Sequence, residues 1–203
     1  MTIELLDPRE IEPNHPELWK GAGWSYMLDY NWMINNCLVH GGTNILDVGY
    51  GRSPLGRFIA DKLGANYTPI DRAYGQEFLD YDPETAPDII MWVSSLEHNF
   101  VDEMNMLYIR SMKLLAPGGL FLATIAISPV THWFEPSAQI NLSPDDAMAI
   151  FDETEIVGNY KDIHKAYRDD TNIAARYARR YGHWNEADPV FIGAGVRKIK
   201  YNV

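Results

Sequence analysis

Apolar residues recur along this chain with two different periods, and the alternation between them predicts a layered α/β fold. From Trp24 to Leu38 the spacing is helical, with Met27, Ile34 and Leu38 on one side and Gly41-Gly42 as the stop. Asn44 to Val48 reads as a short buried strand running into Gly49-Tyr50-Gly51-Arg52. A helix should follow, with Ser53 as N-cap, Pro54 at the first helical position, Leu55, Phe58, Ile59 and Leu63 facing inward, and Gly64 closing it. Asn66 to Ile70 is a second strand and ends at Asp71. The next strand, Asp88 to Ser94, begins only 17 residues after Asp71, which leaves room for a helical fragment and a short third strand near Phe78-Leu79.

Val101 to Leu115 has the pattern of an amphipathic helix, with Met104, Leu107, Tyr108 and Leu115 inward. Ala116-Pro117-Gly118-Gly119 forces a turn into a central strand, Leu120 to Ile127, and a polar loop runs from Ser128 to Leu142. Ser143-Pro144-Asp145-Asp146 opens a further helix. Glu155 to Tyr160 reads as a strand, Asp162 to Tyr181 as two short helices broken near Asp170-Thr171, and Val190 to Lys200 as a last strand. Pro8, Pro13 and Pro16 make the opening segment extended or irregular. Strands alternating with helices imply a mostly parallel sheet covered on both faces, with the last strand as an antiparallel partner.

Composition narrows the class. Hydrophobic residues make up 46% and charged residues 22%, as expected for a soluble globular chain, and no repeat or linker divides the 203 residues. No stretch is long enough to span a bilayer, and the acidic first ten residues lack the apolar run of a secretory signal. Cys37 is the single cysteine, which excludes an internal disulfide and fits a reducing compartment such as the cytoplasm. A net charge of −11 argues against a nucleic-acid partner. Lys161 to His183 runs against this trend, with six Lys/Arg and three Asp, Arg176, Arg179 and Arg180 among them. Two readings stand: a solvated helix face, or an anion-recognition surface for a substrate such as a phosphorylated one. His15, His40, His164 and His183 show no metal-ligand spacing, so no metal site is expected.

Strand, glycine-rich turn, helix, strand and acid form the generic nucleotide-binding unit. The glycines admit a ligand close to the backbone, and the acid accepts ribose hydroxyls. Pro54 removes one of the helix N-terminal donors that a diphosphate needs, and no third glycine follows Gly51. A cofactor without phosphates therefore fits better than NAD.

Asn44-Ile45-Leu46-Asp47-Val48-Gly49-Tyr50-Gly51 resembles the first signature of class I S-adenosylmethionine-dependent methyltransferases of the small-molecule type. Asp71 falls at that family's ribose-binding acid, and Asp80-Tyr81 is similar to its adenine-binding acid. Ser95-Leu96-Glu97-His98 looks like its fourth-strand ending, and Leu114 to Leu120 like its turn into the fifth strand. The family pattern departs at Tyr50, where a small residue is usual, and at Ser53, where a third glycine is common.

The resemblance implies one Rossmann-like domain with a seven-stranded, mostly parallel sheet whose last strand is antiparallel. Residues 1–43 would form an N-terminal lid, 44–128 the cofactor half and 129–203 the substrate half. It implies S-adenosylmethionine as cofactor, held by Asp47, Gly49, Tyr50, Gly51, Ser53, Asp71, Arg72, Asp80, Tyr81 and Ser95, with Trp24 or Tyr26 covering it. The acceptor would be a small molecule, of the anionic or sugar-containing kind, methylated on oxygen or nitrogen. His98, at a strand's carboxyl end, is the first candidate base, and His132, in the loop after the central strand, is the second. A silent member of the fold, binding cofactor or partner without turnover, is the competing reading.

Overall fold

The computed structural model describes residues 2–10, 18, 24–37, 40–170 and 191–201. Its centre is the strand pair β4 (Ile89–Val93) and β5 (Leu120–Ile127), both buried along their whole length. Residues apolar on both faces belong in the middle of a parallel sheet covered on two sides. β2 (Asn44–Val48) and β3 (Asn66–Ile70) extend the sheet on one flank, all parallel, with Leu46 opposite Ile90 and Thr68.

On the other flank β9 (Ile192–Ile199) runs antiparallel to β5, from Leu120 opposite Ile199 to Ile127 opposite Ile192. Beyond it lie β1 (Thr2–Leu5) and β8 (Ile156–Val157), giving the order β3-β2-β4-β5-β9-β1-β8. The sheet is seven-stranded and mostly parallel with an antiparallel last strand, but its membership differs from expectation. Thr2 to Leu5 precede the first proline and form a strand, with Ile3 paired to Val196 on one side and Ile156 on the other. No strand forms at Phe78-Leu79, where the chain turns instead and drives the Phe78 ring into the core. The strand expected from Glu155 to Tyr160 shrinks to two residues, because Gly158 turns the chain and Asn159 caps the next helix through Asp162 N–H at 3.2 Å.

Helices α1 (Trp24–Asn36) and α2 (Leu55–Leu63) are followed by α3 (Val101–Leu114), α4 (Pro144–Phe151) and α5 (Tyr160–Asp169). α1 lies over β5 and β9, and Trp32 rests directly on Gly195: a Cβ there would sit 2.1 Å from the indole. The N-terminus of α2 moves one residue from expectation. Pro54 is the cap, while Ser53 Oγ accepts Leu55 N–H at 3.3 Å from just outside. Ser143 caps α4 as expected, accepting Asp146 N–H at 3.1 Å. On β9, Lys198 donates to the Phe151 carbonyl at 2.9 Å, and just past its end Lys200 donates to the Leu115 carbonyl at 2.6 Å. Two ammonium groups thus close the orphan carbonyls at the ends of α4 and α3. The helix expected after Asp170 and the Arg176, Arg179, Arg180 cluster lie outside the described residues, as do Trp19 and the side chains of Trp24 and Tyr26.

Candidate active site

The polar loop after β5 holds the element that sequence periodicity missed. β6 (His132–Phe134) and β7 (Gln139–Asn141) form an antiparallel hairpin with His132 opposite Asn141. Three-residue strands are too short to show a period of two. The hairpin stands at the carboxyl ends of β4 and β5, the end at which open α/β sheets bind ligands.

Beside it, at the carboxyl ends of β2, β3 and β4, opens a cavity of about 200 Å³. Val48, Phe78, Trp92 and Leu107 give it apolar walls, and Asp71, Gln76, Glu77, Ser95, His98 and Asn99 give it polar ones. Phe78 and Trp92 meet edge to face at 5.0 Å, and Trp92 Nε1 donates to Ser111 Oγ at 3.2 Å, so this wall is rigid. Gly49 closes the inner end. Its φ is +68°, and a Cβ there would lie 2.6 Å from Ser95 Cβ, so no other residue fits without displacing β4. Ser95 Oγ completes the join by donating to the Val48 carbonyl at 2.8 Å.

The Asp71 carboxylate is a clasp. Its Oδ2 accepts Gly51 N–H at 2.8 Å and its Oδ1 accepts Ala73 N–H at 2.7 Å, which draws the glycine turn and the turn after β3 together. Tyr50 stacks on Tyr74 across that seam at 5.7 Å. Arg72 lies at the mouth, paired with Glu77 at 3.1 Å and Glu103 at 2.7 Å. Asp47 sits behind the turn, 1% exposed, on the face of β2 opposite Val48. Its Oδ2 accepts the Tyr67 hydroxyl at 2.9 Å, and its Oδ1 is buried with no hydrogen-bond partner. Burial pushes this carboxyl up to about 7, helped by the charge of Asp71 and opposed by Tyr67.

The two histidines differ in what their rings have left to offer. His98 Nδ1 lies 2.9 Å from the Ala138 carbonyl, which can only accept, so that nitrogen carries the proton. In the neutral ring Nε2 then keeps its lone pair, and the residue borders the cavity. Ala138 holds its carbonyl there from a left-handed conformation, φ +50°, and Ser94, just before this turn, has φ +46°. Two of the three non-glycine residues with positive φ among the described residues therefore bracket His98. His132 Nδ1, by contrast, donates to the Val130 carbonyl at 2.9 Å, and its Nε2 faces Asn141 Nδ2 at 3.2 Å. Asn141 Oδ1 accepts from Gln139, and Gln139 Oε1 accepts from Ser137, at 2.8 and 2.6 Å. His132 is the end of a side-chain ladder and does not border the cavity.

Of the expected cofactor residues, the structure brings Gly49, Asp71, Arg72 and Ser95 to the cavity. Tyr50 and Gly51 form the adjoining seam. Ser53 turns away and donates to the Tyr30 hydroxyl at 2.9 Å, tying α1 to the glycine turn. Asp80 and Tyr81 do not line the cavity. Asp80 is exposed in a turn, and Tyr81 packs lower on the sheet beside Asn44 and Thr68. Without a third strand to carry them forward, Gln76, Glu77 and Phe78 take the places beside it. Sequence reasoning also passed over Asp29, on α1 and 5% exposed. It accepts the Ser94 hydroxyl at 2.7 Å while Ser94 N–H donates to Thr124 Oγ1 at 3.0 Å, and burial pushes its carboxyl up to about 7. No local pattern distinguishes it from a solvated helical aspartate.

No protein-family model matches the chain, and comparison with curated protein sequences finds no relative. Solved structures do match. Phosphoethanolamine N-methyltransferase 2 of Haemonchus contortus, in complex with phosphomonomethylethanolamine and S-adenosylhomocysteine, superposes with a TM-score of 0.61 at 14% identity. That match covers 89% of this chain and 53% of the Haemonchus chain, so the protein spans about half that enzyme's length. The chain carries the Rossmann-like methyltransferase fold. The methyltransferase fold recurs in geranyl diphosphate C-methyltransferase of Streptomyces coelicolor A3(2), in complex with Mg2+, geranyl diphosphate and S-adenosylhomocysteine. There the TM-score is 0.58 at 11% identity, over 98% of this chain and 90% of that one. It recurs also in SpnF, a 4+2 cyclase, with a TM-score of 0.60 at 15% identity over 89% and 83% of the two chains. Among the described residues no helix is long and apolar enough to cross a membrane, and no three His, Cys, Asp or Glu side chains gather as metal ligands.

Proposed function

We propose that the protein transfers a methyl group from S-adenosylmethionine to an oxygen or nitrogen of a small molecule. The observation that carries this reading is His98. Its Nδ1–H is anchored on Ala138, which leaves Nε2 as a proton acceptor at the border of a cavity formed by the glycine turn and the acid after β3. The residues present suit the cofactor. The flat apolar walls of Phe78, Trp92 and Leu107 match an adenine ring, with Gln76, Glu77 and Asn99 at its polar edge. A carboxylate offers about four lone-pair sites, so Asp71 retains two for ribose hydroxyls beyond its backbone bonds. The unpartnered Oδ1 of Asp47 adds a further acceptor behind the turn.

When bound, the cofactor would supply a methyl group already electrophilic on its sulfonium sulfur. The chain's own task is to align the acceptor and exclude water. For a hydroxyl acceptor, His98 Nε2 takes the proton and Ala138 steadies the ring. Two neighbours of this fold are crystallised with S-adenosylhomocysteine, which supports the cofactor assignment. Calorimetry tests it: S-adenosylmethionine and S-adenosylhomocysteine are expected to bind and NAD is not, and tighter binding of NAD overturns the reading.

A second reading, cofactor binding without methyl transfer, draws on a specific feature. Tyr50 and Tyr74 stack over the Asp71 clasp, and a cyclase shares the fold. Incubation with labelled S-adenosylmethionine and a metabolite extract separates the two. A one-methyl mass gain in an extract component supports transfer, and binding without such a product supports the silent member.

A further inference from the structure

Large apolar side chains scattered singly over a surface need no explanation. Two of the exposed ones described here are not scattered. Phe100, 67% exposed, follows directly on His98 and Asn99, both of which border the cavity. Its ring stacks on Trp133, 41% exposed, with centroids 5.7 Å apart and planes 27° apart. Val130, 69% exposed, stands at the entry to the same hairpin. The stack is also fixed in place. Trp133 Nε1 is held by the Glu135 carboxylate, and the hairpin is joined to the segment after β4 a second time where Ala138 meets His98. A rigid aromatic step open to water, next along the chain to the His98 and Asn99 wall of the cavity, costs apolar hydration and offers a flat surface in return. On β6 the neighbours of Trp133 point the other way: His132 into its ladder and Phe134 onto Phe191 at 5.8 Å. The outward direction of Trp133 is thus a consequence of strand alternation and is not forced by a packing defect.

We infer that the acceptor has a flat apolar body, which lies on the Phe100–Trp133 step and directs its nucleophilic group toward His98. The inference rests on the methyl-transfer reading for the identity of the site, but the step itself can be tested without it. The probes are 2-naphthol, planar with one hydroxyl, and inorganic phosphate, the probe for an anionic acceptor. Both are titrated by ligand-observed NMR, with and without saturating S-adenosylhomocysteine. Binding of 2-naphthol is expected, weakened about tenfold by the double substitution Phe100→Ser, Trp133→Ser, in proportion to a lost aromatic contact. The affinity for S-adenosylhomocysteine should stay as it is. Phe100→Leu, which keeps the apolar bulk against the hairpin and removes only the ring face, guards against a loosened hairpin and should weaken 2-naphthol in the same direction. Absence of 2-naphthol binding, equal affinity in wild type and both variants, or displacement of 2-naphthol by phosphate overturns the inference. Failure of S-adenosylhomocysteine to bind, with 2-naphthol still sensitive to Phe100, instead removes the methyl-transfer reading and leaves the step standing.

Discussion

The turn after β4 and the turn after β5 stand side by side, each carries one histidine, and they spend those rings in opposite ways. After β4, His98 gives one nitrogen to a backbone carbonyl and keeps the other at the cavity. After β5, His132 gives up both, one to Val130 and one to Asn141, and is the terminus of a ladder whose members Gln139 and Asn141 are buried. The chemistry open to a histidine is therefore set less by its place at a strand end than by what its second nitrogen is doing. In the proposed reaction the β5 turn would act as the scaffold and the β4 turn as the working part, with the ladder beside Ala138 and the Ala138 carbonyl on the His98 ring.

Substituting the two histidines in turn is the sharpest way to break this contrast. With a hydroxyl acceptor, His98→Asn is expected to lower kcat by roughly 100- to 10,000-fold, the usual contribution of a general base, with S-adenosylhomocysteine affinity unchanged. His132→Asn should leave kcat nearly intact and lower thermal stability instead. A large kcat loss at His132 alone would reverse the roles assigned to the two turns.

Asn141→Leu probes the scaffold directly. It strands His132 Nε2 and Gln139 Nε2 without their partner in a buried setting, at a cost of about 1–3 kcal/mol for each group left unsatisfied. Denaturant unfolding should show that loss. The imidazole resonances of His98 should shift as well, because Ala138 is no longer held. Lost stability with an unchanged His98 ring would show that the hairpin does not position it.

Proton linkage separates the two turns by sign. Behind the β4 turn, the carboxyl of Asp29 is pushed up to about 7, above its unfolded value. Its contribution to stability is fully present below about pH 4 and is lost as pH rises through about 7, by at most about 1.4 kcal/mol per unit. Asp47 is raised for the same reason and falls in the same window, so Asp29→Asn should reduce the slope, with Asp47 carrying the remainder. At the β5 turn, Asp146 is held below the usual carboxylate range by hydrogen bonds from Thr131 and Ser143. Its contribution is present at neutral pH and is lost only in acid. Melting temperatures of wild type, Asp29→Asn and Asp146→Asn from about pH 2 to about pH 8 check both signs. A stability that rises between pH 5 and pH 7 in the wild type contradicts the Asp29 assignment.

Much of the fold was legible because its signals are local. Ser143 caps the residue three positions on, Gly64 ends its own helix, and the apolar runs of β4 and β5 announce their burial one residue at a time. The glycine turn and the acid at the end of β3 were legible too, since a strand, a turn and a helix in that order bring Gly51 and Asp71 together. The surroundings of Asp80 were not legible for the converse reason. Its expected position depended on a third strand that the short segment after Asp71 does not form, so Glu77 and not Asp80 borders the cavity.

What the sequence determined by itself was the alternation of elements, the caps that end them and the placement of a glycine turn at one end of the sheet. Only the tertiary structure decided that Thr2 to Leu5 enter the sheet beside β9, that Asp29 loses its water to Ser94 and Thr124, and which histidine keeps a lone pair. Ile3 meets Val196, Asp29 meets Ser94, and His98 meets Ala138 across 193, 65 and 40 residues. Hydrogen-bond partners at such separations are chosen by how the layers pack, and no periodicity within either segment encodes them.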